Sequence, residues 1–287
     1  MTIDKAFLHK QLQCIGINPG DVLWVRIDLG AMGRIKGFKR QDYVRSILDY
    51  LGPTGTLVTL ADSDYKFTLG STNLPQFDPS GKANTGAFPN IMLSMPESLR
   101  SVHPTNSIVA IGSQAHSLIY GHDENAGSYD YFKKIVDLQG KILIVGCPNH
   151  PGFLTHGVQG ELGHYRRRWY RYFLKTRLAS GEVFVKMDPG GCSSNSYALY
   201  PYYIKAEALR LGRVGAGYAA CIDAIDAYRI DKKLLASNPN MVRCDDPLCL
   251  DCRAGTWGTI WKLPLYIGRR FLKKASRLFG TRQRSDH

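Results

Sequence analysis

The chain reads as an α/β protein, a sheet flanked by helices, on three observations. It opens with a strand-helix-strand run, carries further apolar strands downstream, and at 287 residues with 44% hydrophobic and 21% charged side chains it can bury a full core. VLWVRI (22–27) follows the turn Asn18-Pro19-Gly20 and is read as the first strand. QDYVRSILDYL (41–51) places Tyr43, Val44, Ile47, Leu48 and Leu51 on one helical face, and Gly52-Pro53 ends it. TLVTL (56–60) completes the βαβ rhythm. Residues 61–90 are rich in Asp, Ser, Thr, Gly and Pro without periodicity, which predicts a long functional loop holding Asn84-Thr85-Gly86. SIVAIG (107–112) and KILIVGC (141–147) are strands flanking a helical segment with Ala115, Leu118 and Ile119. After a loop bearing His156, residues 182–203 run from EVFVKM into a Gly/Ser/Asn-rich turn. GRVGAGYA (212–219) followed by ACIDAIDAYR reads as strand into helix. Its Gly215-x-Gly217-x-x-Ala220 fits a dinucleotide fingerprint, but no clear apolar strand precedes it, so that reading is set aside.

The net charge of +13 is unevenly spread. From Trp257 to His287 there are eight Lys or Arg against the single acid Asp286, a net +7 that leaves +6 for everything before. The cluster Arg166-Arg167-Arg168 with Arg171, Lys175 and Arg177 suits a phosphorylated ligand, and the interleaved Trp169, Tyr170, Tyr172 and Phe173 could also stack bases. With most of the excess in the tail, no nucleic-acid partner is expected. The N-terminus carries no apolar stretch of signal-peptide length, and no run approaches the ~18 apolar residues of a membrane span. Seven scattered cysteines suit a reducing compartment, so a cytoplasmic protein is expected.

RSVHPTNS (100–107) puts charged and polar residues immediately before a strand, where core packing does not ask for them and where α/β proteins keep ligands. Downstream come His122, the strand KILIVGC and the run Thr155-His156-Gly157-Val158-Gln159-Gly160-Glu161. In that order and at about those distances, these pieces resemble the aminoglycoside 3-N-acetyltransferase family, which moves acetyl from acetyl-CoA to an amine on a sugar. The resemblance covers residues 15 to about 165. It implies that family's fold, with a central mixed sheet flanked by helices over an acetyltransferase domain of residues 1–256, and acetyl-CoA as donor.

Acetyl transfer to an amine needs a base, held in one tautomer, and donors for the thioester oxyanion. The resemblance makes His156 that base, matching the histidine of a Thr-x-x-His-x-x-Glu motif. Here Thr155 adjoins His156, and Gln159 stands where the family has its orienting acid, so Gln159 or Glu161 would orient the ring. Arg100, His103, Ser107 and Gly112 stand where the resemblance wants them, on the coenzyme side with Asn84 and Thr85. The family's opening His-Ser-Ser-Leu-Ser reads Arg26-Ile27-Asp28-Leu29-Gly30 here. Asp28 would repel pyrophosphate, which moves that contact to Arg34 and Lys36 and leaves Asp28 for the acceptor, with His122, Arg166 and Arg168.

Two features belong to this chain rather than to the core motif. Cys244-x4-Cys249-x2-Cys252 has the knuckle spacing of a zinc site, with Cys221, His164 or a loop histidine as fourth ligand, or else it is a reduced buried cluster. The tail, 257–287, contains a predicted helix over 265–279. Leu265, Ile267, Phe271, Leu272, Ala275, Leu278 and Phe279 lie on one side of it, and Arg269, Arg270, Lys273, Lys274 and Arg277 on the other. That wheel suits peripheral contact with an anionic membrane or docking on the chain's own core. The expected function is acetyl-CoA-dependent N-acetylation of an amino sugar. A basic chain lacking the motif acid favours a nucleotide-linked acceptor of surface-polysaccharide synthesis. The alternatives are aminoglycoside 3-N-acetylation and a catalytically inactive CoA-binding relative.

Overall fold

The computed structural model describes residues 3–68, 73–147, 152–164, 173–186, 188, 192–247, 249, 252, 264–265, 268–269 and 272. Helix α1 (Lys5–Cys14) leads into β1 (Val22–Ile27), the short α2 (Leu29–Met32), α3 (Asp42–Leu51) and β2 (Thr56–Leu60). Then come β3 (Lys66–Phe67), α4 (Ala87–Leu93), β4 (Leu99–Arg100), β5 (Ile108–Gly112), α5 (Ala115–Ile119), α6 (Tyr131–Asp137) and β6 (Lys141–Val145). The chain continues through α7 (Gly152–Glu161), β7 (Leu174–Arg177), β8 (Val183–Val185), a 3-10 turn (Ser196–Leu199), α8 (Tyr200–Lys205), β9 (Leu209–Val214), β10 (Gly217–Asp223) and α9 (Ala224–Ser237).

Seven strands form a mixed sheet in the order β4-β5-β2-β1-β6-β10-β9. β1 pairs parallel with both β2 and β6, while β5 and β10 join antiparallel on either side. Successive side chains of β1 point to opposite faces. Leu23, Val25 and Ile27 therefore pack with Leu8, Leu12 and Ile47 of α1 and α3, whereas Trp24 packs with Phe132, Leu154 and Val158 of α6 and α7. Because both faces are covered, the central strands read as continuous apolar runs. A second antiparallel sheet, β3-β7-β8, is built in part from the long 61–90 segment. α3 ends at Gly52, whose φ of +71° lets its N–H reach back to the Leu48 carbonyl, as the Gly-Pro pair predicts.

Several elements depart from the pattern reading. The Thr155–Glu161 run is helical, not a loop: Leu154 and Val158, four apart, are buried, and that burial overrides the poor propensity of Gly157 and Gly160. Gly215-Ala216 is the tight turn of a β9–β10 hairpin, so the dinucleotide fingerprint is a chain reversal. A Cβ on Gly215 would lie 2.3 Å from the Met32 carbonyl oxygen. α1, α6 and α8 carry short or weak amphipathic patterns and are legible only once packed. Arg166 and Arg168 lie outside the described residues, as does nearly all of the basic tail; of its apolar face, Leu265 and Leu272 are described and exposed. No described helix is long and apolar enough to cross a membrane.

Candidate active site

Helix α7 lies on the Trp24 face of the sheet and carries His156 inward, 4% exposed. One helical turn on, Gln159 presents its amide oxygen 3.0 Å from His156 Nδ1. The spacing of three residues brings the two side chains onto one face. An amide oxygen only accepts, so Nδ1 carries the ring proton and Nε2 presents a lone pair. The Ser193 hydroxyl lies 3.0 Å from Nε2 and donates to it. The Tyr129 ring stands 5.4 Å from the imidazole, centroid to centroid. Gly157 lets Phe132 press against the helix, since a Cβ there would meet the ring at 2.3 Å.

The other two residues expected beside His156 are engaged elsewhere. Glu161, on the outer side of α7, accepts from Lys232 Nζ at 2.6 Å and from the Tyr228 hydroxyl, so it braces α7 against α9 and does not orient the ring. Thr155 donates to Asp231 Oδ2 at 2.7 Å, and the Tyr203 hydroxyl donates to Oδ1 at 2.5 Å. Burial pushes the Asp231 carboxyl up to about 7, because its two donors only partly offset the lost solvation. Both residues lock α7 in place from behind.

The run before β5, expected to hold coenzyme, makes most of its bonds within the chain. Arg100 has five N–H donors, and all five are spent within the chain: on Ser107 Oγ, on the Pro79, Gly81 and Ala61 carbonyls, and on Ser63 Oγ. It staples the 61–81 segment to β5 and has no donor left for a phosphate. Ser107, fully buried, donates to the Ala61 carbonyl. His103 accepts the Asn106 N–H at Nδ1 and stacks on His122, ring centroids 4.8 Å apart. Burial holds His103 well below the usual histidine range, with His122 and Lys186 adding to it. Burial likewise holds His122 down to about 4. His122 accepts from Ser101 and is 2% exposed, and its Nε2 is buried without a hydrogen-bond partner. Asn84 donates to Asp64 and Thr85 to the Leu60 carbonyl, fixing the turn before α4. Asp28 caps α2 by accepting from Gly30 and Ala31, which accounts for the acid there without a ligand. Arg34 and Lys36 remain exposed.

Pattern reading missed four groups. Ser193 is 37 residues from His156 in sequence and sits in a Gly/Ser/Asn-rich turn with no signal of its own. Arg26, near the end of β1, and Lys186, just after β8, both lie close enough to Asp62 to act on its charge. The Asp62 carboxyl is raised to about 6 by burial, against the lowering influence of Lys186, Arg26 and Arg100. Lys186 is 2% exposed, with Nζ 4.0 Å over the Tyr65 ring. A mainly apolar cleft of about 380 Å³ opens beside the end of β6 and the antiparallel β9–β10 pair, lined by Ala31, Gly146, Cys147, Tyr200, Leu211 and Tyr218. Finally, Cys244, Cys249 and Cys252 converge with Cys192, not with Cys221, which lies within β10 beside Arg210, nor with His164.

The family model described as aminoglycoside 3-N-acetyltransferase matches residues 25–236. An aminoglycoside N(3)-acetyltransferase III from Salmonella sp. is 30% identical over 204 residues, 65% of this chain and 70% of the relative. The crystal structure of the aminoglycoside acetyltransferase AAC(3)-IVa apoenzyme superposes with a TM-score of 0.74 at 20% identity, covering 88% of this chain and 96% of that one. AAC-IIIb, in a binary complex with CoASH, gives 0.67 at 20% identity over 83% and 97%. From the family match over most of the length, and the shared mixed-sheet fold, the chain belongs to the aminoglycoside 3-N-acetyltransferase family and is an acetyl-CoA-dependent N-acyltransferase.

Proposed function

We propose that this chain transfers acetyl from acetyl-CoA to a primary amine of an aminoglycoside, with His156 as the base. The observation that carries it is a buried imidazole whose Nδ1 is bound to an amide oxygen and whose Nε2 lone pair faces a hydroxyl. The acceptor nitrogen attacks the thioester carbonyl, and His156 Nε2 takes its proton. The tetrahedral oxyanion then collapses, the carbon–sulfur bond breaks, and the imidazolium returns the proton to the CoA sulfur. Ser193 occupies the position from which that proton would be delivered, so the amine takes its place on binding. The apolar cleft at Ala31 suits the coenzyme's flexible arm, with Arg34 and Lys36 just beyond it for phosphate.

An aminoglycoside is favoured over a nucleotide-linked sugar on two counts. The relatives carry aminoglycoside names, and the charge argument for an anionic acceptor weakens when more than half of the excess lies in the tail. The test is purified full-length chain with acetyl-CoA, following free thiol, against aminoglycosides and nucleotide-linked amino sugars, with the acetylated position assigned by NMR. Turnover of aminoglycosides at the 3-amine is expected. Turnover of nucleotide sugars alone would overturn the acceptor, and saturable CoA binding without any transfer would overturn the activity.

A further inference from the structure

Four sulfurs meet where the segment after α9 returns to the turn before α8. The Sγ atoms of Cys192, Cys244, Cys249 and Cys252 all lie within 4.8 Å of one another. A tetrahedral zinc centre with zinc–sulfur bonds of about 2.3 Å holds its sulfurs about 3.8 Å apart, so these four need close by only about an ångström. Two disulfides would instead gather them into separate pairs. Cys244 and Cys252 are buried and Cys192 and Cys249 half-buried, the setting of a closed structural site. Backbone N–H groups already serve two sulfurs: Ser194 donates to Cys192 at 3.4 Å, and Cys252 to Cys249. Such donors stabilise thiolates. Asn195 also ties this turn to the Arg243 carbonyl at 2.9 Å, so the two segments meet with or without a metal.

The geometry points to a structural zinc site of four thiolates, Cys192, Cys244, Cys249 and Cys252, that fixes the turn carrying Ser193 against His156. Four protein ligands leave no open position on the metal, so its work is positional. Each thiol gives its proton to solvent on binding; nothing is oxidised or reduced. Cys192 adjoins Ser193, whose hydroxyl lies 3.0 Å from His156 Nε2, and this places one end of the site beside the proposed base. That positional role rests on the acetyl-transfer reading; the metal site itself does not.

The full-length chain, purified under reducing conditions from zinc-supplemented culture, is expected to carry about one zinc per chain by elemental analysis. Titration with a mercurial should release the zinc to a metallochromic dye as four thiols are consumed. Cobalt substitution should give thiolate charge transfer and the strong visible bands of a tetrahedral centre. Cys192→Ser and Cys249→Ser should each lose most of the metal, whereas Ser193→Ala should keep it. Zinc below a tenth of an equivalent with no cobalt spectrum would overturn the site, whatever the enzyme's activity. Full metal loss with kcat unchanged would overturn the positional role and leave the site standing. If the Cys→Ser chains do not fold, the mercurial titration on the wild-type chain decides alone: zinc release in step with four thiols supports the site, and thiol loss without zinc overturns it.

Discussion

Two histidine-bearing segments of this molecule look alike in sequence and do opposite work. RSVHPTNS before β5 and THGVQGE on α7 both concentrate polar residues beside buried structure. In the first, most polar groups are consumed internally: Arg100 spends every donor and Ser107 donates to a buried carbonyl, while His103 stacks on His122 with its Nε2 sealed from solvent and unpartnered. In the second, the chain fixes one edge of the imidazole through Gln159 and leaves the other edge facing a replaceable hydroxyl. A site thus differs from a scaffold less in its residue types than in whether one donor or acceptor is kept available. Sequence order displays the types, and only the hydrogen-bond partners display what is kept.

The sharpest way to break this contrast is to remove each imidazole. His156→Ala should lower kcat about 100- to 10,000-fold, the usual cost of losing a general base, with thermal unfolding little changed. His103→Ala should do the reverse, lowering Tm while the folded fraction keeps its turnover. A His156→Ala chain retaining more than a tenth of wild-type kcat would move the base elsewhere. Next in size is Arg100→Met, which removes five hydrogen bonds to groups in the 61–81 segment and β5. Its acceptors are neutral carbonyls and hydroxyls, and leaving a buried acceptor unpaired costs about 1–3 kcal/mol, less where water reaches it. Denaturant unfolding should show that loss with CoA affinity nearly unchanged, and a selective loss of CoA binding would return Arg100 to the coenzyme site.

The smallest effect sharpens the contrast through pH. His122 titrates near 6.5 when unfolded and is held to about 4 in the fold by burial. Between those values the unfolded chain takes up a proton that the folded chain refuses, so stability is intact above pH 6.5 and falls as pH drops toward 4. The limit is on the order of 3 kcal/mol for this group. Part is offset by Asp62 and Asp231, whose raised pKa values act with the opposite sign, stabilising the fold as pH falls from about 7. His122→Asn should therefore flatten the acid side of a Tm-against-pH curve. An unchanged curve would mean that the stacked pair is not what titrates.

Much of the fold was legible because its central strands are long apolar runs and α3 has a full amphipathic face with a Gly-Pro stop. α7 was not: two glycines disguise a helix that tertiary burial of Leu154 and Val158 enforces. His156 and Gln159 were legible as a pair through their spacing, and that spacing meant contact only once the segment was known to be helical. Ser193, Asp62 and Cys192 reach their places by long-range chain return, which no local pattern records. The internal bonds of Arg100 and His103 were not legible for a different reason, since a motif position preserves residue type without saying where the donors point.

Gly157 carries one last consequence. An interior helical glycine costs roughly 1 kcal/mol relative to alanine, so replacing it is ordinarily a route to a more stable protein. Here the added methyl would sit 2.3 Å from the Phe132 ring, so the buried ring or α7 itself would have to shift. The residue before it is His156. The chain's thermal robustness and the aim of its imidazole are therefore negotiated at a single backbone position, so selection for heat resistance alone should avoid Gly157 and settle on surfaces remote from this helix.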